Sequence, residues 1–137
     1  MSNNKGEINI IEERINEYLE NIFRFNNLAK GYVPVFKELT KRITLTENGQ
    51  VIYINAGMKQ EISKSLNCSM GHIGNCIADL NKNNIFQKQS SGTYMLNPNL
   101  FGVNREWKDF NNIESIDLNI IITSKGKEMN ATFIMKK

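Results

Sequence analysis

The side chains with the means to do chemistry lie between Lys59 and Ser91. Cys68, His72 and Cys76 recur there at every fourth residue, a spacing that can aim ligands from one helix face at a metal. A structural zinc site wants four such ligands. No fourth stands nearby, and Cys68 precedes Ser69, the residue best suited to start the helix, so core or surface positions suit the two thiols better. No metal or cofactor is therefore expected. Enzymatic groupings are equally thin. The single histidine excludes a two-histidine metal centre of the nicking-relaxase kind. There is no glycine-rich loop ending in Lys-Ser or Lys-Thr and no Gly-x-Ser-x-Gly elbow. None of the 4 tyrosines has an adjacent base or metal cluster. The chain is not expected to be an enzyme.

What remains is polar recognition chemistry. Asn75 carries an amide that can pair with adenine, and His72 can meet a base or a phosphate. Gly71, like Gly74, permits close approach to a duplex, although glycine weakens a helix by about 1 kcal/mol. Ser69, Lys59, Lys64, Lys82 and Lys88 are candidates for phosphate contact, with Ser91 in a loop beyond them. Asp79 would repel phosphate unless it meets a cytosine amine or solvent. For each of these residues the competing reading is plain surface exposure. Net charge is only +3, but its distribution is uneven. Residues 31–97 hold seven basic and four acidic side chains, whereas residues 1–30 hold four and five, and residues 98–137 hold six and five. The positive excess falls where phosphate binding would need it.

The elements that must position these residues can be traced from local chemistry. Asn55 is an N-cap, and Met58, Ile62 and Leu66 then repeat by fours, a helix of two to three turns. Asn67-Cys68 breaks it. Ser69 caps a second helix with Ile73, Ile77 and Leu80 inward and Cys76 beside them. On that wheel Gly71, His72, Asn75 and Asp79 face out. Ile85–Gln89 and Thr93–Leu96 are β-type runs joined by Ser90-Ser91-Gly92, with glycine where positive φ is expected, and Pro98 ends the second run. Upstream, Tyr32–Phe36 suggests an extended edge piece because of Pro34, followed by a short helix from 36 to 45 and a strand at Val51–Ile54 after the turn at 47–50. The order helix, strand, helix, turn, helix, strand, loop, strand is that of a winged helix-turn-helix.

Two appendages flank this unit. Residues 1–7 are polar and expected to be disordered. From there Ile8, Ile11, Ile15, Tyr18, Ile22 and Phe25 alternate by three and four, Leu19 and Phe23 widen the stripe, and Glu13, Arg14, Glu17, Glu20 and Arg24 face away. This amphipathic helix either lies on its own domain or pairs with a second copy, giving a homodimer through residues 8–25. Residues 99–115 look irregular, with Phe101, Trp107, Phe110 and Ile113 as anchors. Alternation at 116–122 and 129–135 about Ser124–Lys127 predicts a C-terminal β-hairpin. The expected architecture is α+β: a helix over 1–30, a winged helix-turn-helix domain over 31–113, and a hairpin over 114–137. No stretch is long and apolar enough to span a membrane. With 2 cysteines and no apolar leader, a reducing cytoplasmic setting is expected.

Several runs also carry a family likeness. Lys59-Gln60-Glu61-Ile62 through Asn67, with Ser69, Ile73, Ile77-Ala78-Asp79-Leu80 and Lys82, resembles the helix-turn-helix of plasmid replication proteins of the RepL type. Gly92-Thr93-Tyr94-Met95-Leu96-Asn97-Pro98-Asn99-Leu100-Phe101-Gly102, then Trp107-Lys108-Asp109, resembles the Gly-x-Tyr-x-x-Asn-Pro-x-x-Phe segment that follows the wing in that Firmicute plasmid family. Gly31-Tyr32-Val33-Pro34-Val35-Phe36 is similar to its extended lead into the domain. The likeness covers residues 31–113. Val103-Asn104-Arg105 departs from the glycine-containing stretch expected after the Phe, and the glycines at 71 and 74 are unusual for a recognition helix. The resemblance implies sequence-specific binding to double-stranded DNA at a plasmid origin, recruitment of host replication proteins and a part in plasmid maintenance. The alternative reading of the same module is a winged-helix transcriptional regulator, and a second alternative is a winged-helix protein-interaction module.

Overall fold

The structure is a computed structural model that describes the backbone of residues 3–103 and 107–137 and the side chains of residues 12–103 and 110–137. Ile8, Ile11, Trp107, Lys108 and Asp109 therefore lie outside the described side chains, as do Asn104 and Arg105. Within these bounds the fold is mixed α+β, with five α-helices and six strands in two antiparallel sheets.

Helix α1 spans Asn3–Phe25, so it takes in most of the polar lead expected to be disordered; polarity alone does not stop a helix. Among the described residues the middle of its apolar stripe is internal, while Phe25 at its end is exposed. Ile15, Tyr18, Leu19, Ile22 and Phe23 are buried against the same chain. Helix α2 spans Tyr32–Thr40, which corrects the extended reading of this run. Pro34 is its third residue. First-turn amides have no partner within a helix, so proline gives up little there, and its fixed φ suits the turn. Helix α2 also stops early. Ile43–Thr46 forms strand β1 rather than the end of a helix, and pairs with β2, Gly49–Tyr53, across the turn at Glu47-Asn48. Ile43, Thr44 and Thr46 are β-branched, and the pairing on β2 decides what helical spacing suggested.

Helices α3, Ala56–Leu66, and α4, Met70–Lys82, follow, then strands β3, Phe86–Ser90, and β4, Thr93–Leu96. Strand β4 inserts beside β2, giving the order β1-β2-β4-β3. The loop is fixed by Gly92, at φ 74°. A Cβ there would fall 2.8 Å from the Ile54 carbonyl oxygen. The Ile54 amide also donates to the Gly92 carbonyl at 2.7 Å, which pins the loop to the end of β2. A short helix α5, Pro98–Phe101, and a 3-10 turn, Trp107–Asn112, lead into the second sheet. That sheet is the C-terminal hairpin of β5, Ile113–Thr123, and β6, Gly126–Met135; β5 is longer at both ends than the alternation required, and β6 is longer at the turn.

One apolar cluster joins all three segments. Phe36 and Phe23 meet edge to face at 5.7 Å, and Phe36 lies 5.4 Å from Phe101. Tyr18 packs 6.0 Å from Phe133 of the hairpin, and its buried hydroxyl donates to the Leu100 carbonyl. Burial holds that phenol well above its ordinary pKa. The buried Gln50 amide donates to the Phe101 and Gly102 carbonyls, both at 2.9 Å, tying β2 to the end of α5. Buried carbonyls left without such donors would cost about 1–3 kcal/mol.

Candidate nucleic-acid interface

Both helices of the central unit start on the caps that their sequences offered. The Asn55 side chain accepts from the Met58 amide at 2.8 Å, and the Ser69 hydroxyl accepts from the His72 amide at 3.0 Å. Between them Asn67 adopts left-handed geometry at φ 53°, which asparagine tolerates better than most residues. The Cys68 amide then donates back to the Ser63 carbonyl at 3.1 Å, and the Ser63 hydroxyl donates to the Cys68 carbonyl at 2.5 Å. The turn is therefore locked from both sides, and α3 and α4 hold a fixed relation.

Helix α4 buries Ile73, Cys76, Ile77 and Leu80. Its exposed side is narrower than the wheel suggested. Gly71, Asn75, Ala78 and Lys82 form the outward stripe. His72 and Asp79 do not belong to it, because both flank the seam with α2. The His72 ring lies 5.3 Å from the Tyr32 ring, and its Nε2 approaches the Gly31 carbonyl at 3.3 Å. The Tyr32 hydroxyl donates to the Asp79 carboxylate at 2.9 Å. Burial and then this hydrogen bond raise the Tyr32 pKa. Asp79 therefore has a partner inside the fold, and His72 is set against the start of α2 rather than aimed outward. Cys76 lies beneath Tyr32, and burial, with Asp79 nearby, pushes its thiol pKa far up. Cys68 sits half-buried in the turn, and the Ser63 hydroxyl donates to its carbonyl. Among the described residues no three His, Cys, Asp or Glu side chains gather as metal ligands do.

The outward stripe has little bulk. A Cβ added at Gly71 would meet only the Ser69 hydroxyl at 3.9 Å, and one at Gly74, half-buried at the border of the stripe, would meet nothing within 4 Å. The interior of this fold does not require either glycine. Ala78, absent from the residues singled out by sequence, continues the same shallow surface.

On α3, α4 and β3 the cations are unbalanced. Lys64, Lys82 and Lys88 are exposed and Lys59 is half-buried. Among the described residues none of them has a carboxylate within ion-pair distance. Between α1 and the first sheet the cations Lys30, Lys37, Lys41 and Arg42 are matched, with Glu20, Glu12 and, for the last two, Glu38, whereas among the described residues Arg14, Arg24 and the lysines of the C-terminal hairpin have no carboxylate within ion-pair distance either. Arg42 also reaches Glu61 at 3.5 Å, so the one glutamate of α3 is drawn away from the lysines. Hairpin β3–β4 stands beside α4 and is fastened to it by Asn81, whose side-chain oxygen accepts from the Lys88 amide at 2.9 Å. No spacing rule would have singled out Asn81. Ser91 is exposed in the loop of that hairpin. Gly71, Asn75, Lys59, Lys64, Lys82, Lys88 and Ser91 are thus available to a ligand, and Ser69 is already committed as a cap.

No helix among the described residues is long and apolar enough to cross a membrane. Comparisons with protein-family models, with curated proteins and with solved structures give no match to this chain.

Proposed function

We propose that residues 31–113 form a winged helix-turn-helix, that α4 and the β3–β4 wing bind double-stranded DNA with sequence preference, and that the protein acts in initiating plasmid replication in a bacterial cytoplasm. The observation that supports the binding reading is the shallow stripe Gly71, Asn75, Ala78 and Lys82 on α4, on a helix-turn-helix and wing whose lysines have no carboxylate partners among the described residues. The major groove of B-DNA admits one α-helix, and a helix with little bulk on its outer face can seat deeply. Asn75 is the one exposed amide in the middle of that stripe and can read adenine through paired hydrogen bonds. Lys59, Lys64, Lys82 and Lys88 supply phosphate contacts, which fix position without reading sequence. The replication role rests on the likeness to RepL-type proteins.

Selection of duplexes from a random pool tests the binding reading. A preferred sequence should emerge, and Asn75→Ala should weaken binding to it by about 1–3 kcal/mol while sparing random DNA. Equal loss on both would remove Asn75 as a reader, and no duplex binding at low salt would leave a protein-interaction module. For the replication role, a plasmid carrying the gene should fail to replicate when the gene is disrupted. A change only in the expression of a neighbouring gene would make the protein a transcriptional regulator.

A further inference from the structure

The C-terminal hairpin has one edge that the fold leaves open. Strand β5 pairs with β6 on one side and with no strand on the other among the described residues, and α5 packs against β6 rather than β5. Unpaired strand edges are templates for strand addition and are commonly blunted by proline or lysine. Along its 11 residues β5 has neither, and its charged side chains are Glu114 and Asp117, so residues 118–123 form a run without charge. A groove of about 410 Å³ runs along this strand between β5 and α1; Phe25, Phe110 and Ile116 line its apolar part and Arg14, Glu17 and Glu114 its charged part, and at the start of the strand Arg14 donates to the Ile113 carbonyl at 3.0 Å. Phe25 is 46% exposed there.

The strand also carries an apolar residue without a seat. Ile116, Leu118, Ile120 and Ile122 alternate on the face that packs on the body of the protein. The first three are half-buried, whereas Ile122, past the edge of the body, is 82% exposed. The protruding isoleucine and the groove are related by the strand itself. If two β5 strands pair antiparallel about a two-fold axis at Asn119, Leu118 lies opposite Ile120 of the partner subunit, and Ile116 in the groove lies opposite Ile122 of the partner subunit. Side chains of like face stay together, because the axis passes through a residue and not between two. The polar face is compatible too, since Asp117 then stands opposite Ile121 of the partner subunit, well away from its own symmetry mate.

We propose that the chain forms a symmetric homodimer through the free edge of β5, giving a four-stranded sheet across the axis, with Ile122 of each copy seated against Ile116 in the groove of the other. This places the second copy on the hairpin and not on α1, whose Ile15, Tyr18 and Ile22 are already used internally. The inference does not depend on the DNA-binding reading.

Sedimentation of the full-length chain should give twice the monomer mass. Ile122→Lys, at a site too exposed to support folding, should raise the dimer dissociation constant at least tenfold. Ile121→Lys is the control: it lies on the other face, opposite Asp117 of the partner subunit, and should leave the dimer intact. In a Cys68→Ser background, Asn119→Cys should cross-link two chains on mild oxidation, because a residue on the axis meets its own copy within disulfide reach. Thr132→Cys on β6 should not. A wild-type monomer at all concentrations would overturn the proposal. So would an Ile122→Lys dimer as tight as wild type, or cross-linking from Thr132→Cys and not from Asn119→Cys.

Discussion

Replacing Gly74 by alanine separates what the fold needs from what a ligand needs. Gly74 sits inside α4, and an added Cβ there meets nothing within 4 Å. Its φ is not positive, so alanine adopts the same backbone without strain. The change removes the entropic disadvantage of glycine in a helix interior, about 0.5–1 kcal/mol. For a chain of this size that raises Tm by about 2–5 °C, read by calorimetry. Binding should move the other way. If α4 seats its glycine surface against a duplex, a methyl group intrudes on a close contact, and by analogy with overpacked cores that costs about 1–3 kcal/mol. Duplex affinity, measured by fluorescence anisotropy, should fall by roughly 5- to 150-fold. A protein that is more stable and binds as tightly as before would refute the claim that this face approaches DNA. A drop in Tm would refute the open space at residue 74.

The acid limb of stability should depend on Glu38. Its pKa is lowered by Lys41 first and Arg42 next, so its contribution is present above the ordinary carboxylate value of about 4.3 and is lost as pH falls through the lower folded value. Glu38→Gln should therefore reduce stability at neutral pH, and denaturant titrations across pH should show the two proteins converging in acid; a constant gap would contradict the pairing. The thiols should differ in kind. Brief alkylation of the native protein at mildly alkaline pH should modify Cys68 well before Cys76, because Cys76 is buried with a raised pKa. Peptide mass spectrometry showing equal labelling would mean that the seam between α2 and α4 opens readily.

Features set by contacts within a few residues were legible in the sequence. Asn55 and Ser69 as caps, the break at Asn67 and the glycine loop at 92 all follow from side chains acting on their own backbone. The alternation of β5 and β6 was legible for the same reason, since period two needs only a buried face. Features set by docking were hidden. Pro34 is as acceptable in the first turn of a helix as in an edge strand, and the packing of Val33, Phe36 and Leu39 against α1 and the sheet decides between them. Ile43 to Thr46 needed its partner β2 to become a strand. At the candidate site the wheel identified the core of α4 correctly but could not tell which flank another helix would cover. Tyr32 makes that choice by taking Asp79 and facing His72, and nothing in its own neighbourhood of sequence points 40 residues ahead.

The central claim is that the face of α4 and the β3–β4 hairpin binds duplex DNA through lysines left without carboxylates. The salt dependence of duplex binding tests it most directly. Each phosphate neutralised releases counterions, so contacts from Lys59, Lys64, Lys82 and Lys88 predict that log Kd rises with log salt at a slope of about 3–4. Changing these lysines to alanine together should flatten that slope toward zero while the fold, followed by circular dichroism, stays intact. A wild-type affinity indifferent to salt, or a slope unchanged by the lysine substitutions, would contradict it.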